Sequence, residues 1–251
     1  EVLYDGDTAI AAAQYSYLPS IVQFIADTDK ARASGKALVN AVVSWWKTLP
    51  EGSRPRLLLY GESMGVLAGE AAFDDLADVL ESVDGVLWVG PPNSSRLWRD
   101  LVARRDPGTR EVDPTYSAGL TARFAQDEED LRSFAGDASW SEQRILYIQH
   151  ASDPVVWWSP SLIRESPDWL LELPGADRSP AMRWMPCITF LQVTADIPRA
   201  MNVPEGHGHR YGSEILDGLA LISHDDSFTP ERMTQARQEL ERALATQPTD
   251  D

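Results

Sequence analysis

Leu57-Leu58-Leu59-Tyr60-Gly61-Glu62-Ser63-Met64-Gly65, continuing into Val66-Leu67-Ala68-Gly69-Glu70-Ala71-Ala72, is the stretch that decides the fold. The apolar run before Gly61 reads as a strand and the run after Gly65 as a helix, so a G-x-S-x-G pentapeptide stands at a strand-to-helix turn. Such a turn is tight enough to push a serine hydroxyl clear of the sheet, and the flanking glycines tolerate the crowding. A glycine-punctuated turn with an ordinary serine is the plainer alternative. The strand before and the helix after are the context the motif requires, and they favour Ser63 as a nucleophile.

Outward from this turn, short apolar strands alternate with helical patterns. Lys36 to Leu49 has helical periodicity through Leu38, Val42, Trp45, Trp46 and Leu49, before a Pro50-Glu51-Gly52 stop. Arg56 to Tyr60 is the strand into the turn, a polar helical segment covers Asp74 to Ser82, and Gly85 to Gly90 is a buried-type strand ended by Pro91-Pro92. Residues 93 to 143 read as loops and short helices. Arg144 to Ile148 is a further strand, Cys187 to Val193 is expected as the last one, and Tyr211 to Ile222 and Pro230 to Ala245 read as closing helices. Ala9 to Tyr17 is strand-like in composition. The alternation predicts an α/β fold: a mostly parallel sheet with helices on both faces.

Composition narrows the possibilities. The 251 residues, 43% hydrophobic and 24% charged, can bury a full core without disulfide or metal, and one domain over 1–251 is the expectation. No apolar run approaches the ~18 residues that would span a bilayer, so a soluble domain is expected. The net charge of −17, from 39 acidic against 22 basic residues, repels phosphate backbones and argues against nucleic acid as a partner. The single Cys187 excludes an internal disulfide, and its neighbours Met185, Pro186, Ile188 and Phe190 predict a buried, inert thiol.

A serine nucleophile needs a histidine to take its proton and a carboxylate to orient that histidine. In Gln149-His150-Ala151-Ser152-Asp153-Pro154, Asp153 stands just past the strand 144–148, where such an acid belongs; an ordinary Asp-Pro turn is the bland alternative. Asp196, after the expected last strand, is the rival acid. Four histidines are available. Gly206-His207-Gly208-His209 offers two on a glycine-rich loop; His207 is preferred as base, with His209 second, over His150 and His224. Two histidines one residue apart also resemble a metal fragment, but no further ligand at suitable spacing accompanies them, so no metal or other cofactor is expected.

Several runs together resemble one bacterial family: Gln14 to Ser20, Gly61 to Gly65, Gly85-Val86-Leu87-Trp88-Val89-Gly90-Pro91-Pro92, and Gln149 to Pro154. Val155-Val156-Trp157-Trp158-Ser159-Pro160, Pro167-Asp168-Trp169-Leu170, Phe190 to Asp196 and Gly206 to His209 belong to the same likeness. The chain is similar to the α/β-hydrolase catalytic domain at the C-terminus of multi-spanning bacterial, chiefly actinobacterial, membrane proteins. The resemblance implies an α/β-hydrolase fold and a cell-membrane location for the parent protein through an N-terminal region absent here. It also implies lipid-like ester substrates, including aminoacylated glycerolipids. Family members carry further strands and a glycine-rich oxyanion loop ahead of the region matching Glu1, so the chain is expected to begin inside its domain.

The backbone amide of Met64, next after the nucleophile, supplies one oxyanion donor; its partner is not identified. Trp88, Trp157 and Trp158 are expected around the substrate, with core packing the alternative for each. Arg96 and Arg99 are read as solvated surface residues rather than an anion site. The expected reaction is hydrolysis of a carboxylic ester through an acyl-enzyme, with acyl transfer by the same three residues or a non-catalytic binding module as alternatives.

Overall fold

The computed structural model describes residues 2–14, 28–225 and 228–245. Four strands, β1 (Leu58–Glu62), β2 (Gly85–Val89), β3 (Ala122–Ala125) and β4 (Arg144–Ile148), form one sheet in the order β1-β2-β4-β3. Every pairing is parallel. The register places Glu62 opposite Val89, Val89 opposite Ile148, and Ile148 opposite Ala125. All four strands therefore end level, and the residues just beyond them share one rim. Ligand sites of parallel sheets collect at such a carboxyl edge.

The sheet is buried on both faces, which explains why β2 and β4 are nearly unbroken apolar runs rather than alternating ones. Val86, Trp88, Ile145 and Tyr147 point to one face, where they meet Val66, Val79, Leu97, Trp98 and Leu101 of the helices Met64–Glu70, Leu76–Ser82 and Arg96–Ala103. Leu87, Val89, Leu146 and Ile148 point to the other, under Leu131 of the helix Glu128–Phe134 and Ile222 of the helix Glu214–Ser223. Burying each such side chain contributes roughly 1.5–3 kcal/mol, so these two layers dominate the stability of the sheet. The helix Asp29–Lys47 packs over Met64–Glu70 at Gly35, where a β-carbon would collide with the Ala68 carbonyl.

Three expectations from sequence are corrected. Cys187 to Val193 is no strand: residues Ile188–Asp196 form a helix. Its buried residues are Thr189 and Val193, while Ile188 and Leu191 are exposed, so the burial follows helical spacing that a short apolar run does not reveal. Cys187 is consequently exposed at the turn into that helix, with φ 62°. Conversely, the segment read as loops contains β3, hidden in sequence because Arg123 interrupts a four-residue run. That arginine is buried because Asp137 and Ser139 accept from its guanidinium, which also lies over the Trp140 ring. Residues 9–14 carry no regular structure, and the rest of the strand-like Ala9 to Tyr17 lies outside the described residues. Among the described residues no helix is long and apolar enough to cross a membrane.

Candidate active site

Ser63 leaves β1 with φ 53° and ψ −119°, a conformation that costs a non-glycine residue about 1–3 kcal/mol. Two backbone hydrogen bonds hold it there. The Ser63 N–H donates to the Val89 carbonyl at 2.9 Å, and the Val66 N–H donates to the Ser63 carbonyl at 2.9 Å. The two glycines of the pentapeptide are not equivalent. A β-carbon on Gly61 would stand 2.7 Å from the Gly65 carbonyl oxygen and 3.0 Å from the Val66 nitrogen, whereas one on Gly65 would meet open space. Met64 opens the helix Met64–Glu70, so its amide is among those with no acceptor within the helix.

Asp153 lies in the turn after β4 and is fully buried. It caps the short helix Pro154–Trp157, with Oδ1 accepting from the Val155 N–H at 2.8 Å. Oδ2 accepts from His209 Nδ1 at 2.7 Å and from the Tyr211 hydroxyl at 2.8 Å. A carboxylate can only accept here, so it places the proton of neutral His209 on Nδ1 and leaves the lone pair on Nε2. His209 is 7% exposed, and its Nε2 is buried without a hydrogen-bond partner among the described residues. Burial acts most strongly to lower the His209 pKa, but the Asp153 charge and hydrogen bond, with Glu62, outweigh it and raise the pKa above the ordinary value.

The pair and the serine share the strand rim through Val89 and Gly90. Val89, which accepts from Ser63, is followed by Gly90 with φ 56°, and the His209 ring lies directly on that glycine. A β-carbon at Gly90 would stand 2.7 Å from His209 Cε1, the atom between the two ring nitrogens. Glu62, the residue before Ser63, is close enough to act on the His209 charge.

The other sequence candidates lie elsewhere. His207 is exposed, with Nδ1 3.2 Å from the Glu205 carbonyl, so the histidine preferred from sequence does not meet Asp153 and its neighbour does. The turn through Gly206 (φ 77°) and Gly208 (φ 55°), with the His209 N–H donating to the Ala200 carbonyl at 2.9 Å, sends the second imidazole inward. Asp196 is exposed at the end of the helix Ile188–Asp196 rather than just past a strand, because the expected strand is absent. Trp88 and Trp157 are 0% and 2% exposed, packed against Tyr147 and against Trp98 and Trp169 respectively. They are core side chains rather than a rim. Trp158 is half-buried, with Nε1 donating to Thr194 Oγ1 at 2.8 Å and its ring against Phe190. Arg96 is engaged by the Phe73 carbonyl and Asp100. Among the described residues no cluster of three or more His, Cys, Asp or Glu side chains could hold a metal ion.

The pattern so assembled has a strained serine between strand and helix, an acid after a later strand, and a histidine later still. A family model described as an alpha/beta-hydrolase family matches residues 1–236. The chain belongs to the alpha/beta-hydrolase family. No curated protein and no solved structure matches it. A hydrolase-type function follows from the family.

Sequence reasoning missed Tyr211 in this alpha/beta-hydrolase. Its hydroxyl accepts from the His150 backbone N–H at 3.2 Å, which forces its own proton toward Asp153. Its position two residues after His209 was the available signal, and it carries no pattern specific enough to act on.

Proposed function

We propose that this alpha/beta-hydrolase cleaves a carboxylic ester through an acyl-enzyme, with Ser63 as nucleophile, His209 as general base and acid, and Asp153 orienting the imidazole. The observation that carries the reading is the buried His209–Asp153 pair at 2.7 Å, lying on Gly90 beside the carbonyl that anchors Ser63. His209 Nε2 accepts the Ser63 hydroxyl proton as Oγ attacks the ester carbonyl, and Asp153 stabilises the imidazolium. The oxyanion receives the Met64 N–H. Collapse of the tetrahedral intermediate expels the alcohol, which takes the proton from Nε2; water then repeats the sequence on the acyl-serine.

The acyl group is proposed to be apolar. The chain between Asp153 and His209 exposes Leu171, Ile188, Leu191 and Met201, side chains suited to a hydrocarbon substrate. A fluorophosphonate probe tests the chemistry. Labelling is expected to vanish in Ser63→Ala and to fall roughly thousandfold in His209→Ala, while His207→Ala labels like the unaltered protein. Labelling that survives in Ser63→Ala sinks the reading; loss in His207→Ala but not His209→Ala moves the base. An ester series should show turnover rising with acyl length.

A further inference from the structure

Behind the His209–Asp153 pair lies a second buried imidazole and carboxylate that the proposed reaction does not use. His150 is 1% exposed and Glu214 4% exposed, with His150 Nε2 3.0 Å from Glu214 Oε1, an ion-pair contact in which neither atom has another partner among the described residues. On the far side of the ring, His150 Nδ1 is 2.9 Å from the Gly208 carbonyl. A carbonyl only accepts, so that nitrogen carries a proton. Gly208 immediately precedes His209, and its N–H is held in turn by Ser152 Oγ at 2.8 Å. The peptide that aims the base is thus gripped at both ends. The His150 ring also stacks on Tyr211, centroids 4.2 Å apart and planes at 14°, while its backbone N–H donates to the phenol that donates to Asp153.

We propose that His150 and Glu214 are positioning residues for the base, fixing the His209 loop through the Gly208 carbonyl, bracing Asp153 through Tyr211, and placing a positive charge behind His209. The proposal rests on Ser63, His209 and Asp153 acting as described above. The titratable groups that act on the two imidazoles are Asp153 after β4, Glu62 on β1, Tyr211 on the His209 loop and Glu214 on the helix Glu214–Ser223. Burial opposes a charge on His150 most strongly, but Glu214, the Gly208 carbonyl and Asp153 outweigh it and raise its pKa. A proton on His150 opposes one on His209 and so offsets part of the pull from Asp153 and Glu62.

This assigns the pair a task that packing alone does not require. A buried ion pair is often no more stabilising than apolar residues of equal volume, so its presence beside a reactive site asks for another reason. Removing the Glu214 charge should let His150 lose its proton, leave His209 under Asp153 and Glu62 alone, and raise the pH at which the base becomes free.

The test is the pH dependence of fluorophosphonate labelling at Ser63 in the unaltered chain, Glu214→Gln, Glu214→Asp and Tyr211→Phe. Glu214→Gln is expected to move the acid-limb midpoint upward by about half a pH unit or more, as loss of a nearby buried charge requires. Glu214→Asp keeps the charge and should return the midpoint toward the starting value. Tyr211→Phe should move it upward too, since Asp153 Oδ2 then accepts from the imidazole alone. Ring-nitrogen NMR of the unaltered protein gives a reading independent of any variant's folding: His150 should remain protonated at a pH where His209 has lost its proton. A uniform slowing with an unmoved midpoint in Glu214→Gln, or a His150 that is neutral while His209 is still charged, overturns the proposal and leaves the Ser63 reading intact. Absence of labelling in the unaltered chain at every pH overturns the Ser63 reading first.

Discussion

Gly61 and Gly65 bracket the serine symmetrically in sequence, yet only Gly61 is required by contact: a β-carbon there would press on the Gly65 carbonyl at 2.7 Å, and one on Gly65 would touch nothing. The helix Met64–Glu70 must start close against the last turn of β1, and the side without a side chain is the β1 side.

Substitution should therefore be asymmetric. Gly61→Ala is expected to cost about 1–3 kcal/mol by overpacking against backbone that cannot yield. Gly65→Ala, inside a helix and facing open space, should be neutral or gain up to about 1 kcal/mol from helix propensity. Urea denaturation of the two variants decides it, and equal losses would show that the close approach is not what selects glycine at 61.

The base should titrate above an ordinary histidine. His209 must be neutral to accept the Ser63 proton, and its pKa is raised, so labelling should fall as pH drops through a midpoint above the ordinary 6.5. Glu62 contributes to that rise, so Glu62→Gln should shift the midpoint down, opposite to the shift expected for Glu214→Gln. A midpoint unmoved by Glu62→Gln would place the two groups out of electrostatic reach.

Glu70 should make stability depend on pH. It is buried, accepts from the Leu97 and Trp98 N–H groups and the Tyr147 hydroxyl, and burial pushes its pKa from 4.5 to about 7. A carboxyl whose folded pKa is raised contributes stability that is present below its unfolded value and lost as pH rises through its folded one. The rise from 4.5 to about 7 corresponds to about 3 kcal/mol. Glu70→Gln should lower stability at acid pH and narrow its gap to the unaltered chain between pH ~4.5 and ~7. Denaturation curves across that range that stay parallel would refute it.

Ser152 should matter to the loop that carries the base. Its Oγ accepts from the Gly208 N–H at 2.8 Å and donates to Asp177. Ser152→Ala is expected to cost about 1–3 kcal/mol for the polar groups left unpaired and to slow Ser63 labelling without moving its pH midpoint. Unchanged melting and labelling would show that the loop is held without it.

Local order in this chain decided a great deal of the structure before any packing was considered. The apolar runs ending at Tyr60, Gly90 and Ile148 carry enough consecutive apolar residues to mark three parallel strands, and the glycines around Ser63 mark the turn between strand and helix. Those signals survive in sequence because they come from neighbours within a few positions. Arg123 hid β3 because its charge is neutralised by Asp137, fourteen positions away, and the run at Ile188 reads alike as strand or helix until its buried face is known. The choice between His207 and His209 belongs wholly to the tertiary structure. Both stand on the same glycine loop, and only the bond of the His209 N–H to Ala200, the grip on Gly208 and the seat on Gly90 turn one imidazole inward to Asp153. Sequence determined that a serine would stand at the turn between strand and helix; contacts between residues far apart in the chain decided which histidine meets Asp153, since side-chain direction on a loop is set by what the loop packs against.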